Sequence, residues 1–149
     1  MPFIEIGSKK FIKKKSNSFF ATNKKKYISQ AKFIIISIGT PIDKNLKPKL
    51  KNFLNFFKKI KNLIKKDQIL IVRSSVYPGT CKKIINILNN KFKNLAYCPE
   101  RIVQGHAIQE LPKLPQIVSG FSKKAINSSS NLFKIICYKT LITTMLEAE

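Results

Sequence analysis

The sequence predicts an α/β protein in which amphipathic helices alternate with short strands of a doubly wound parallel sheet. Residues 33–38 and 69–72 are almost continuously apolar, which is typical of parallel strands covered on both faces. Between them, the apolar residues from Leu50 to Ile64 follow the three–four spacing of a helix that packs on a sheet. Each apolar run leads into hydroxyl residues, proline and glycine, which end strands and form turns.

The first part of the chain is predicted to have short elements. Residues 1–5 are expected to be extended, 9–15 to form a short basic helix, 19–22 a short strand and 24–30 one or two helical turns. The lysines in this part are expected to form a solvated face. After the strand at 33–38 comes a polar link, and Pro48 suits a helix start because proline fits the first helical turn.

The remaining elements alternate in the same way. Asp67 and Gln68 turn the chain into a strand at 69–73, and Pro78-Gly79-Thr80 then begins a helix with an apolar stripe from Ile84 to Leu88. The elements expected after it are a strand at 95–98, a short helix at 106–111, a strand at 116–119 that stops at Gly120, a helix from Ser122 to Ile136, a strand at 138–144 and the first turn of a helix at 146–149.

The charge of the chain is strongly positive, at +22 over 149 residues. This excess would suit a nucleic acid or an anionic membrane. However, 27 of the 29 basic residues are lysines, whereas nucleic-acid readers favour the planar fork of arginine. Lysine, isoleucine, asparagine and phenylalanine are abundant together, and all have A- and T-rich codons. Biased genome composition explains the charge more simply, so we expect no specific nucleic-acid partner.

The cysteines and the apolar segments exclude further classes of protein. The chain has three cysteines, no C-x-x-C pair and one histidine, so no structural metal site is expected. Free thiols suit a reducing cytoplasm. Cys81 begins a helix but has no visible base partner, so we do not expect it to be a nucleophile. No segment approaches the roughly 20 apolar residues of a membrane span. We therefore expect a cytoplasmic protein with no membrane partner.

Candidate functional residues follow three of the predicted strands. Thr40, Ser75 and Glu100 stand where these strands end, and ligands of open parallel sheets bind beyond the carboxyl ends of the strands. Each also has a structural explanation. Thr40 could cap a turn, Ser75 could satisfy the Pro-Gly turn that follows, and Glu100 could pair with a surface lysine. Arg101 is harder to explain in this way, because the chain otherwise uses lysine.

Several segments also occur in a characteristic order. They are Gly39-Thr40-Pro41, Ser74–Thr80, Tyr97–Ile102, Gly105–Leu111 and Leu114–Gly120. Together they resemble the nucleotide-sugar dehydrogenases, the NAD-dependent UDP-glucose, UDP-N-acetylglucosamine and UDP-N-acetylmannosamine 6-dehydrogenases. The resemblance covers nearly the whole chain. Its Pro99-Glu100-Arg101 sequence is similar to the N-acetylhexosamine branch of the family.

The resemblance implies roles for particular residues. NAD would be the cofactor, contacted by Thr40 and Pro41 in one turn and by Ser75 and Glu100 beside the reaction water. Glu100 would be catalytic by helping to order that water. Arg101 and the Ile102 backbone would contact the UDP-sugar, whose C6 alcohol is oxidised to a uronate for polysaccharide synthesis. Two positions depart from many members: Ser75 replaces a threonine, and Gln104 stands where some members carry a second acid.

Other expected parts of the family are missing from these residues. No G-x-G-x-x-G turn for the pyrophosphate occurs, and neither does an acid for the ribose or the later motif with the catalytic cysteine. We therefore expect residues 1–149 to be an incomplete NAD-binding domain without a second domain. Its partial Rossmann-like sheet would lack the first strands and the Gly-rich turn. Such a fragment is expected to be marginally folded and inactive alone.

Two other functions stay open on this sequence. The chain could be a non-catalytic module that docks to a separately encoded Gly-rich half, in which case it should co-purify with that partner. It could also be a basic nucleic-acid-binding protein. That function predicts strong, salt-dependent affinity for DNA or RNA.

Overall fold

The computed structural model describes residues 5–15, 19–40, 50–90 and 92–149. Within these residues, five strands form one sheet in the order in which they occur along the chain. The strands are β1 (Phe33–Ile36), β2 (Ile69–Val72), β3 (Leu95–Tyr97), β4 (Gln116–Gly120) and β5 (Thr140–Ile142). Helices separate them, so the predicted α/β alternation is confirmed.

The helices agree with most of the predicted segments. They are α1 (Ser8–Lys15), α2 (Leu50–Ile60), α3 (Thr80–Ile87), α4 (Ala107–Glu110), α5 (Lys123–Phe133) and α6 (Met145–Ala148), with 3-10 turns at Lys25–Gln30 and Lys61–Leu63. The predicted helix start at Pro48 and the extended segment at 1–4 lie outside the described residues. Ser122 caps α5 as expected, because its hydroxyl accepts a hydrogen bond from the Ala125 amide at 3.1 Å.

The predicted strand at 19–22 is wrong, since these residues belong to no strand of the described sheet. Phe19 and Phe20 are exposed, and the Phe20 ring packs edge-to-face on Tyr27 at a centroid distance of 5.1 Å. A strand needs a neighbour that accepts its backbone hydrogen bonds, and none of the described strands pairs with this segment. Local β-propensity was therefore not sufficient to form a strand.

The sheet is mostly parallel, with one reversal that the sequence did not predict. β1 with β2, β2 with β3 and β4 with β5 are parallel, but β3 and β4 are antiparallel. The connection between β3 and β4 holds only the four-residue helix α4 and returns to the edge it left. Gln116, which begins β4, donates a side-chain hydrogen bond to the carbonyl of Pro99 just after β3. Because the connection begins and ends at the same edge of the sheet, β4 runs in the direction opposite to β3.

The core has two layers, one on each face of the sheet. Along β2, Leu70 and Val72 pack against α2 and α3, whereas Ile69 and Ile71 belong to the cluster that includes α5. The alternation explains why β2 is apolar at every position, as expected of a strand covered on both faces. None of the helices in the described part of the chain is long and apolar enough to cross a membrane.

β1 lies at one edge of the sheet. It pairs with β2, and no other described strand borders it. Ile34 and Ile36 are buried, whereas Ile35 on the opposite face is 47% exposed. Within the described residues, β1 thus has no strand partner at its outer edge and carries an exposed apolar side chain.

Candidate active site

The ends of β1 and β2 meet through a direct hydrogen bond. The hydroxyl of Thr40 donates to the main-chain carbonyl of Ser75 at 2.7 Å. Just before this contact, the Ile36 carbonyl accepts hydrogen bonds from the amides of Arg73 (2.8 Å) and Ser74 (3.3 Å). Parallel pairing therefore brings Thr40 and Ser75 together at the carboxyl edge of the sheet. Pro41, which was predicted to contact NAD together with Thr40, lies outside the described residues.

Glu100 joins the same edge from the end of β3. Its amide donates to the Arg73 carbonyl at 3.0 Å, which continues the pairing of β3 with β2. Its carboxylate forms an ion pair with the guanidinium of Arg73 through one oxygen. The other oxygen accepts the Arg101 amide at 3.1 Å. The partner of Glu100 is thus a specific buried arginine, and not one of the surface lysines.

Arg73 is the central residue of this group, although sequence reasoning did not select it. It is only 8% exposed. One terminal nitrogen donates to Glu100 and the other donates to the side-chain oxygen of Gln116 at 2.9 Å. Its guanidinium carbon lies 4.8 Å from the centre of the Phe133 ring, a cation–π arrangement. The available signal was that Arg73 is one of only two arginines in the chain.

Gln116 binds the terminal nitrogen of Arg73 that does not contact Glu100. The side chain is buried, and its amide nitrogen donates to the carbonyls of Pro99 (3.1 Å) and Ile117 (2.9 Å). Because these two bonds occupy the donor group, its oxygen is left to accept the hydrogen bond from Arg73. Gln116 therefore links the start of β4 to both Arg73 and the segment that carries Glu100.

Arg101 and Ile102 lie on the outer side of the carboxylate. The guanidinium of Arg101 is exposed and donates to the Pro115 carbonyl. Beside it is a shallow depression with mixed polar and apolar walls, and Ile102 is half-buried in it. The residues that line the depression are Pro99, Glu100, Arg101, Ile102, Leu111, Leu114, Pro115, Gln116 and Cys137.

The loop after Arg101 is braced by the amino-terminal segment. The Ile6 amide donates to the Gly105 carbonyl, and the Glu5 carboxylate accepts the Ile108 amide, both at 3.1 Å. From the end of α4, the Glu110 carboxylate accepts a hydrogen bond from the Val103 amide of the loop at 2.9 Å. Gln104 is exposed in this loop and adds no carboxylate there. The segment that carries Arg101 and Ile102 is thus held by contacts that are distant in sequence.

The cysteines near this edge are buried. Burial raises the pKa of the Cys81 thiol, and a hydrogen bond with the Glu149 carboxylate raises it further, so this thiol stays protonated. Burial also raises the pKa of Cys98 to about 12, despite the opposing effect of the Arg73 charge. The described residues contain no group of three or more metal-ligating side chains.

The chain matches one family model over residues 1–138, that of the UDP-glucose/GDP-mannose dehydrogenase family, NAD binding domain. It is 28% identical over 120 residues to the UDP-N-acetyl-D-mannosamine dehydrogenase of Methanococcus maripaludis, covering 78% of this chain and 28% of that one. It is 32% identical over 124 residues to the UDP-glucose 6-dehydrogenase of Rickettsia prowazekii, again covering 78% and 28%. The chain thus spans less than a third of the length of the curated relatives it matches here.

Solved structures show the same fold. The UDP-D-ManNAc dehydrogenase from Pyrococcus horikoshii superposes with a TM-score of 0.89 at 22% identity, covering 99% of this chain and 37% of that one. The GDP-mannose dehydrogenase of Pseudomonas aeruginosa gives a TM-score of 0.85 at 20% identity, covering 99% and 37%. These similarities establish a Rossmann-like fold for the chain.

Proposed function

Because the chain belongs to the UDP-glucose/GDP-mannose dehydrogenase family through its NAD-binding domain, we propose that its carboxyl edge forms part of the NAD and substrate site of a UDP-N-acetylhexosamine 6-dehydrogenase. The observation that carries the proposal is the convergence of Thr40, Ser75 and Glu100 from the ends of β1, β2 and β3. Such an enzyme would supply a uronate for polysaccharide synthesis.

The residues of this edge suit the nicotinamide end of NAD. Thr40 and Ser75 place hydroxyl and carbonyl groups there, and Glu100 adds a carboxylate held in one orientation. The sequence of these 149 residues offers no Gly-rich turn for the pyrophosphate. The described residues thus fit one half of the cofactor, and NAD would accept the hydride removed from the sugar C6.

The protein residues would act on the reaction water and the substrate. The Glu100 carboxylate would accept a hydrogen bond from the water and orient it, while Ser75 would contact the cofactor beside it. Arg101 would place its charge against the sugar nucleotide, with the Ile102 backbone alongside. Both residues line the small depression described above.

A chimeric enzyme tests the assignment directly. The matching stretch of the Methanococcus maripaludis UDP-N-acetyl-D-mannosamine dehydrogenase would be replaced by residues of this chain, and NADH formation would be followed. Replacing Glu100 by Gln is expected to lower kcat about a hundredfold, because the ordering of the water is lost. Glu110→Gln, at the end of α4 with its carboxylate bonded to the Val103 amide, is the matched control. An equal effect of both changes would contradict the role of Glu100.

The polypeptide of these 149 residues is proposed to be an incomplete NAD-binding domain without dehydrogenase activity of its own. The purified chain, incubated with NAD and UDP-N-acetylmannosamine or UDP-N-acetylglucosamine, is expected to form no NADH. A cooperative melt together with NADH formation would overturn this proposal. Preference of the chimera for UDP-glucose over both substrates would overturn the N-acetylhexosamine assignment.

The open edge of β1 favours a second candidate function, that of a module which docks to a separately made Gly-rich half. The carbonyls of Lys32 and Ile36 accept hydrogen bonds from the β2 side, so by alternation the polar groups of Phe33 and Ile35 face outwards. A docked strand would protect the Phe33 and Ile35 amides from hydrogen exchange. Mixing the chain with the first β-α-β unit of a relative tests this, and unchanged exchange would exclude docking at β1.

We propose no specific nucleic-acid partner and a cytoplasmic location, as the lysine-rich composition and the free thiols suggest. Weak binding to DNA or RNA that disappears by physiological salt is expected for a non-specific charge effect. Sequence-selective binding that survives physiological salt would instead favour the nucleic-acid function. Fractionation of the source cells tests the location.

A further inference from the structure

The arginine content of the chain singles out Arg73. Only Arg73 and Arg101 are arginines among 29 basic residues, and both flank the Glu100 carboxylate. Arg101 is exposed, whereas Arg73 is buried. A buried charge is costly unless it is paired and hydrogen-bonded, so the position of Arg73 requires a reason.

The contacts of Arg73 require a guanidinium group. Its two terminal nitrogens donate to different elements: one to Glu100 after β3, the other to Gln116 at the start of β4. The flat face of the same group lies against the ring of Phe133 in α5. A lysine offers one compact charge on a single nitrogen and cannot make these three contacts in one geometry.

These contacts restrict the Glu100 carboxylate. The side chain of Glu100 is 41% exposed, so without a partner it could adopt several rotamers in solvent. Arg73 holds one oxygen, and the Arg101 amide holds the other. Gln116 is itself fixed by hydrogen bonds to the Pro99 and Ile117 carbonyls, so its side-chain oxygen holds the Arg73 guanidinium in place. The orientation of the Glu100 carboxylate is therefore set by Arg73, by Gln116 and by the Arg101 amide.

We propose that Arg73 is the positioning residue for Glu100, and that it acts together with Gln116 through the carboxylate and not by contact with substrate or cofactor. This inference rests on the proposed function for the significance of Glu100, but the geometry itself can be tested without any activity. Arg73→Lys keeps the positive charge and removes the two-nitrogen fork. Arg101→Lys is the matched control, because it keeps the backbone amide that bonds Glu100.

The first experiment records guanidinium spectra of the chain labelled with 15N-arginine. Only two sets of signals are possible, and the Arg101→Lys variant assigns them. The terminal N–H signals of Arg73 are expected to be individually distinguishable, because two fixed hydrogen bonds slow rotation of the group. Glu100→Gln, a change at a partly exposed side chain, is expected to shift and merge them. The proposal would be overturned if the Arg73 signals resemble those of free arginine, or if the Glu100→Gln substitution leaves them unchanged.

The second experiment observes Glu100 itself with 13C-carboxyl-labelled glutamate. Arg73→Lys should move the Glu100 carboxyl signal by more than its linewidth, whereas Arg101→Lys should leave it within its linewidth. If Arg73→Lys leaves the signal in place, the carboxylate is not held by Arg73 and the proposal is wrong. If Arg73→Lys fails to fold, Gln116→Leu serves instead, because it removes the hydrogen-bond acceptor of Arg73. Its effect is measured in the same 15N-arginine and 13C-glutamate spectra.

The chimeric enzyme adds a functional measurement. Arg73→Lys is expected to lower kcat about tenfold or more with an unchanged KM for the UDP-sugar, because a misplaced catalytic group slows chemistry but not binding. Arg101→Lys should instead raise KM. An inactive parent chimera would count against the proposed function, while the two spectra would still decide whether Arg73 positions Glu100.

Discussion

Thr40 and Ser75 contribute different groups to the contact between β1 and β2. The Thr40 hydroxyl donates the hydrogen bond, but its acceptor is the main-chain carbonyl of Ser75. The Ser75 side chain takes no part in this bond and is exposed at the edge. The structural role of Thr40 can therefore be separated by mutation from the ligand role proposed for Ser75.

Thr40→Val removes the hydroxyl while keeping the shape of the side chain. The free energy of unfolding should fall by about 1 kcal/mol, the net value of one such hydrogen bond. Ser75→Ala keeps the accepting carbonyl, so it should leave stability nearly unchanged and instead slow NADH formation in the chimera. Urea denaturation measures the first effect. Equal destabilisation by both changes would show that the Ser75 hydroxyl also supports the fold.

Cys98 makes stability depend on pH above neutrality. Burial raises its pKa to about 12, so the thiol stays protonated in the folded state while the unfolded chain loses the proton above its ordinary value of 9.0. The stability linked to this proton is complete below pH 9 and is lost as pH rises towards 12. The expected loss is about 1.4 kcal/mol per pH unit within that window.

The comparison variant for this prediction is Cys98→Ala, under reducing conditions. The two proteins differ only at position 98, so the difference in unfolding free energy between them isolates the contribution of the thiol. Relative to the variant, the wild type should become less stable as the pH rises above 9. A difference that is constant with pH would contradict the prediction.

Among the elements, α3 depends on a contact that is far away in sequence. The Glu149 carboxylate accepts the amides of Gly79 and Cys81, each at 2.6 Å, at the amino end of this helix. No side chain from the adjacent loop caps that end, and Gly79 adopts a positive φ of 83° there. The segment that contains α6 thus supplies both hydrogen-bond acceptors and a favourable charge for the α3 dipole.

Glu149→Ala is expected to lower the free energy of unfolding by about 2 kcal/mol, because two charge-assisted hydrogen bonds are lost at once. The amides of Gly79 and Cys81 should also exchange faster with solvent. Leu146→Ala is the matched control, since this neighbouring side chain is 74% exposed and should have little effect. Unchanged amide exchange in Glu149→Ala would show that the carboxylate does not cap α3 in solution.

At the scale of the whole molecule, the main liability is the outer edge of β1, with which no strand in the described part of the chain pairs. An uncovered apolar strand edge is a template for association with other chains. The strand alternates, so Ile34 faces the core at 8% exposure and Ile35 faces out at 47%. Adjacent residues of one strand therefore allow solubility and stability to be separated.

Ile35→Lys should reduce self-association, measured by sedimentation or light scattering, and change the unfolding free energy by less than about 1 kcal/mol. Ile34→Lys, one residue away, should cost more than about 3 kcal/mol because it buries an unpaired charge. If Ile35→Lys destabilises the chain as strongly as Ile34→Lys, the outer face of β1 is covered in solution.

The amino-acid sequence by itself determined the alternation of elements, the buried character of β2 and the positions at which the strands end. These follow from the spacing of apolar residues and from local turn chemistry, and they were sufficient to indicate that Thr40, Ser75 and Glu100 share an edge. The order of the motifs also identified the family. Apart from the order of the motifs, each of these signals lies within a short stretch of chain.

Only the tertiary structure decided the reversal of β4, the absence of a strand at 19–22 and the partners of Glu100. The reversal depends on Gln116 returning to Pro99, and a strand depends on a neighbour to pair with. The role of Arg73 depends on three groups, from Glu100, Gln116 and Phe133, that are separated along the chain. Such contacts between distant residues leave no period or spacing in the sequence, so they became visible only in the folded chain.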